Sequence, residues 1–63
     1  MQHEYSEGYA VALIRLAGKR DDLIRSLQRD ADAIRAMEGV SRTYASWLAG
    51  YSAGCTRLLG EGA

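Results

Sequence analysis

Gly18-Lys19-Arg20-Asp21-Asp22 decides how many helices this 63-residue chain contains. Gly18 is a residue type that closes helices, and Asp21 is one that caps a new start. The flanking segments, rich in Ala, Leu, Arg and Gln, favour helix. The phase of the apolar stripe arbitrates. At about 100° per residue, Tyr9, Leu13 and Leu16 fall within roughly 160° to 220°, and Leu23, Ile24, Leu27, Ala31 and Ile34 within roughly 140° to 240°. A loop would normally reset that phase, so the pattern predicts one long helix over about 6–37, kinked at Gly18 and about 48 Å long. Ser6 and Glu7 are its expected N-cap and acidic first turn.

Downstream, Glu38-Gly39-Val40-Ser41 combines a glycine suited to the left-handed C-terminal position with a serine suited to cap the following helix. A second helix is expected over about 42–59, with 1–5 and 60–63 frayed. There is no proline and no strand-like alternation. The expected fold class is therefore all-α: a single antiparallel helical hairpin, with its turn at 38–41.

Such a hairpin leaves surface unmatched. A second helix of about 18 residues reaches ~27 Å and covers only the Lys19 to Met37 half of the first. Tyr9 to Ala17, apolar almost all round, is left bare, and a helix of that kind is normally buried on most sides. The second helix carries no charge from Thr43 to Thr56. Its bulky arc of Tyr44, Trp47, Leu48, Tyr51, Cys55 and Leu58 is expected to pack on Leu23, Leu27 and Ile34 as the core. The opposite side is small, with Ala45, Ala49 and Ala53 forming one ridge and Ser46, Gly50 and Gly54 the next. Two glycines inside a helix cost roughly 1 kcal/mol each against alanine, so another backbone is expected to approach there. Tyr9, Leu13, Leu16, Arg20, Ala49, Gly50 and Gly54 are thus the candidate protein-binding residues, in a dimer resembling a four-helix bundle. Arg20 lies mid-stripe near 200° and must pair, snorkel or bind. A break after Gly18 would instead release Arg20 to solvent, and the alternative for the Tyr9 to Ala17 segment is that it frays or folds into a third short helix capping its own hairpin.

Size points the same way. At 63 residues the core is marginal, and small domains need a staple. Cys55 is the single cysteine and His3 the single histidine, so neither an internal disulfide nor a closed zinc site is available. Oligomerisation or a bound partner is the staple left. Eight basic and eight acidic residues cancel, giving no overall field to attract nucleic acid or an anionic membrane. The N-terminal residues lack the pattern of a secretory signal, and no run approaches the ~20 apolar residues that span a bilayer. A cytoplasmic location, that of a host cell if the chain is phage-encoded, is the default.

Groups for chemistry are sparse. His3 and Glu7 share a helix face but form too small a set for a metal site. Cys55 reads as a packed thiol. Arg25, Arg29, Asp22 and Asp32 mix signs on an outer helix face, as solvated surfaces do. No nucleophile with a base, no phosphate loop and no carboxylate pair stands out. No enzyme activity, cofactor or metal is therefore expected.

A helical hairpin dimerising into a four-helix bundle resembles the architecture of the plasmid RNA-binding repressors of primer processing, although no residue pattern here matches their RNA face. In size and lack of motifs the chain is similar to phage-encoded inhibitors of host systems, anti-CRISPR proteins among them. That likeness implies a small protein-binding module acting by steric occupation of a partner. The alternative is a nucleic-acid-binding regulator working from the Arg25/Arg29 face of a dimeric bundle.

Overall fold

A computed structural model describes residues 3–61, and these are all-helical with no strand. There are three helices among them: α1 over His3–Leu16, α2 over Asp21–Arg35 and α3 over Arg42–Glu61. The single long helix over 6–37 is thus corrected to two. Gly18 adopts φ +80°, and the Lys19 N–H donates to the Leu16 carbonyl at 3.0 Å. A left-handed glycine of this kind ends a helix because it alone takes that backbone without a Cβ penalty. Arg20 is extended at φ −67°, ψ 149° and occupies the N-cap position of α2 without a side-chain cap. Asp21 and Asp22 follow in the first turn, where their charge suits the positive end of the helix dipole.

The chain ends differ from expectation as well. Helix α1 begins at His3, before the expected cap at Ser6, so residues 3–5 are helical. Helix α3 runs through Gly60 to Glu61, where Arg57 Nε contacts Glu61 Oε2 at 3.1 Å. The rest of the expected frayed ends, 1–2 and 62–63, lies outside the described residues. Between α2 and α3, Gly39 has φ +86°, and Ser41 Oγ accepts the Tyr44 N–H at 3.0 Å. One orphan amide of α3 is thereby satisfied.

Helix α3 is the centre of the molecule. Its contacts with α1 are the most extensive, those with α2 fewer, and α1 and α2 scarcely meet. Gln28 ties α2 to α3: its Nε2 donates to the Ser52 carbonyl at 2.9 Å and Thr56 Oγ1 at 2.7 Å. Pairing Gln28 with Ser52 and Thr56, and Ile24 with Cys55, makes α2 and α3 antiparallel. By contrast α1 runs in the same sense as α3, with Tyr5 and Gly8 beside Trp47 to Tyr51, and Tyr9 and Ala12 beside Gly54.

That second pairing locates the small ridge. A Cβ on Gly50 would overlap the Tyr5 carbonyl, one on Gly8 would overlap the Trp47 carbonyl, and one on Gly54 would lie 2.7 Å from the Ala12 Cβ. The close backbone approach inferred for Gly50 and Gly54 is therefore made by α1 of the same chain. Because α1 takes this edge of α3 and α2 takes the other, the three helices form a thin layer of 34 × 23 × 15 Å.

The core sits where the ends of α1 and α2 converge on α3. Ala12, Leu16, Ile24 and Cys55 are buried together there, with Leu27, Tyr51, Leu58 and Leu59 packed around them. Cys55 is the largest side chain to be fully enclosed. Of the expected core residues, Leu48 is also buried, whereas Leu23 and Tyr44 are 43% and 46% exposed. They stand at the edges of the layer, where no further helix folds over them. No helix among the described residues is long and apolar enough to cross a membrane.

Candidate functional site: an open apolar groove

The splayed placement of α1 and α2 leaves a cleft over the middle of α3's bulky arc, where Trp47 and Tyr51 are half-buried and Leu48 is buried. At about 100° per residue, Tyr51 lies roughly midway between the glycine edge that meets α1 and the Leu48/Ser52 edge that meets α2. The result is a groove of about 290 Å³. Trp47, Leu48 and Tyr51 form its floor; Val11 and Arg15 form the α1 wall; Leu27, Asp30, Ala31 and Ile34 form the α2 wall. Spacings of three and four put Leu27, Asp30 and Ile34 in one row along α2, and Leu23 extends that row.

The floor is aromatic and ordered by stacking. Trp47 and Tyr51 lie 5.4 Å apart between ring centroids and 20° from parallel, and Tyr44 follows 6.4 Å from Trp47. Offset stacking at such distances holds the rings in register. Burial raises the Tyr51 hydroxyl pKa, Cys55 adds to the rise, and Arg15 at the groove wall opposes it. The phenol is therefore protonated at neutral pH and offers a hydrogen bond. Beneath it, the Cys55 thiol is held above its ordinary range first by burial and then by the charge of Asp32, which makes it a poor nucleophile.

Charge enters the groove at two points only. Arg15 and Asp30 stand on opposite walls, both exposed. Neither forms an ion pair among the described residues. A shallower concavity of about 440 Å³ lies beyond Trp47, bounded by Glu4, Glu7, Ser41, Thr43 and Tyr44. There the two carboxylates face the N-terminal end of α3, which has no acidic residue in its own first turn. The two charges thus complement the dipole of a neighbouring helix.

The candidate protein-binding residues are divided by this arrangement. Leu16, Gly50 and Gly54 are buried inside the chain and offer nothing to a partner. Tyr9, Leu13 and Ala49 are half-buried, and the Tyr9 hydroxyl meets Arg57 Nη1 at 3.0 Å. Arg20 is not in an apolar stripe; its side chain is 86% exposed, 3.9 Å from Asp22, at a distance and exposure that add little stability. Val11, Arg15, Leu27, Asp30 and Ile34 gain a role that stripe counting did not give Val11, Arg15 or Asp30. The signal that could have found them is Val11 itself, an apolar residue lying off the main stripe. His3 and Glu7 both lie on α1, and no group of three metal-ligating side chains gathers among the described residues.

Compared with models of protein families, with curated proteins and with solved structures, the chain matches none.

Proposed function

We propose that the chain is a small non-enzymatic protein-binding module whose groove between α1 and α2 receives an apolar face of another protein chain, and which acts by occupying that surface. The observation that carries this reading is the groove whose floor exposes part of Trp47 and Tyr51 above the buried Leu48, in a molecule where the largest fully enclosed side chain among the described residues is a cysteine. A layer with so little interior has most to gain from covering its aromatic stripe. Apolar walls with a single Arg and a single Asp suit holding a partner. Aromatic and Arg anchors are also the residue types that dominate binding energy at protein interfaces.

The test is positional. A photoreactive phenylalanine replacing Leu23, in the groove-side row of α2, should crosslink a discrete protein in cells, and the same group replacing Arg29, on the outward face, should not. Val11→Asp should abolish the crosslink while far-UV circular dichroism stays helical. Equal crosslinking from positions 23 and 29 would remove the groove from the proposal.

A further inference from the structure

The groove has a charge pattern that selects its occupant. We propose that a second copy of this chain closes it, the two copies being related by a two-fold axis that runs along the groove, so that Arg15 of each faces Asp30 of the other. This rests on the groove being a protein-binding surface and adds the identity of the occupant.

α1 and α2 are the two lips, with α3 between them as floor. Rotating a copy by 180° about an axis parallel to the groove lays its α1 lip over the α2 lip of the first copy. Opposite charges on opposite lips then meet twice, as an isologous contact requires. A two-fold axis across the groove would set α1 over α1 and leave Arg15 facing the wrong lip for Asp30, so the charges favour the first rotation. Arg15 and Asp30 are free to make this contact because neither is engaged in an ion pair among the described residues.

Three other observations fit a second copy. Stable domains are built from two packed layers, and this chain supplies one, 15 Å thick. The formal net charge is zero, so copies bring no overall repulsion to the encounter. The glycine edge, consumed by α1, is removed as a competing dimer surface.

Sedimentation equilibrium on the full chain between about 1 and 200 μM tests this directly. The expected result is a dimer that weakens at least about tenfold in Arg15→Asp and again in Asp30→Arg, because each reversal replaces two attractions by two repulsions. Mixing the two variants in equal amounts should restore a heterodimer, since one copy then carries acids on both lips and the other arginines. Both positions are exposed, and circular dichroism confirms that each variant is folded. A monomer throughout the concentration range overturns the second copy, and a groove-specific crosslink to a different protein would then leave the binding reading standing. A dimer indifferent to both reversals, or one that mixing does not restore, overturns the proposed pairing.

Discussion

Replacing Gly50 with alanine separates the packing described above from a merely exposed glycine face, because the two predict opposite signs. On an exposed helix face the substitution stabilises by up to about 1 kcal/mol, the difference in helix propensity. Here the new Cβ would overlap the Tyr5 carbonyl oxygen and lie 2.8 Å from its carbon, where ordinary contact begins at 3.4 Å. The obstacle is backbone, so no side chain can rotate away and α1 must retreat by about 1.5 Å, forfeiting at least a quarter to a half of the dispersion across that contact. Overpacking of this kind costs about 1–3 kcal/mol. Set against the propensity gain, the net expectation is a loss of about 1 kcal/mol, which for a chain of this size lowers Tm by roughly 4–8 °C. Thermal and urea melts followed by circular dichroism read the change. Gly60→Ala is the internal control, since nothing lies within 4 Å of a Cβ there, and it should be neutral or stabilising. A Gly50→Ala protein that melts higher than the parent would refute the packing of α1 on the glycine edge.

Gln28→Ala deletes the hydrogen bonds from Nε2 to Ser52 and Thr56 that join α2 to α3, and should lower stability by about 1–2 kcal/mol in denaturant titration; an unchanged midpoint would show that water replaces them at no cost. Ser41→Ala removes the acceptor of the Tyr44 amide and should cost about 1 kcal/mol, with Ser41→Gly costing a few tenths, so equal losses in the two variants would exclude capping as the cause. The Cys55 thiol, raised above its ordinary range by burial and by Asp32, keeps its proton in the folded chain at pH values where the unfolded chain has lost it. Its contribution to stability is therefore complete below the ordinary thiol range and declines as pH rises through that range and up to the folded pKa. Melts at about pH 7 and pH 9.5 should show the higher pH less stable, with a smaller difference in Cys55→Ala; a difference of equal size in that variant would assign the effect to other groups.

How much of this was legible in the sequence varied with the kind of signal. Helix as the sole secondary structure followed from residue propensity, and Gly39 and Ser41 stand at the turn before α3 as their conformational preferences suggest. The approach of a backbone to Gly50 and Gly54 also followed from composition, because glycine inside a helix needs such a reason. The identity of the approaching helix did not follow. Counting bulky residues pointed to Tyr9, Leu13 and Leu16 as the apolar stripe of α1; Leu16 is buried, but the contact ridge continues through Ala12 and Gly8, and where helices meet at glycine distance small residues mark the interface.

The break at Gly18 was hidden for a simple reason. The interruption, Ala17 to Arg20, is four residues long, close to the 3.6 residues of one helical turn, so the apolar phase on either side agrees whether the chain turns once as helix or leaves it. The polar run Lys19 to Asp22, following a glycine, was the better guide. Arg20 in the middle of an apolar stripe was the inconsistency that should have outweighed the phase. The groove was illegible for a related reason: it exists only because α1 and α2 take opposite edges of α3, a choice made by the glycines and by Gln28 together.

The most extensive helix contact, α1 on α3, joins segments far apart in the sequence. The Tyr9–Arg57 hydrogen bond closes 48 residues of chain, whereas the Gln28 bonds to α3 close 24 and 28. Loop closure costs more for longer separations, and local pairings form sooner. Closure entropy alone therefore predicts that α2 and α3 meet first and that α1 docks last, onto an edge that stays bare until then. Pulsed hydrogen exchange during refolding would register this as α2 and α3 amides gaining protection before those of α1. In the interval before docking, the naked glycine edge could as readily accept the α1 of a neighbouring molecule. Domain swapping during refolding at high concentration is the hazard built into this topology.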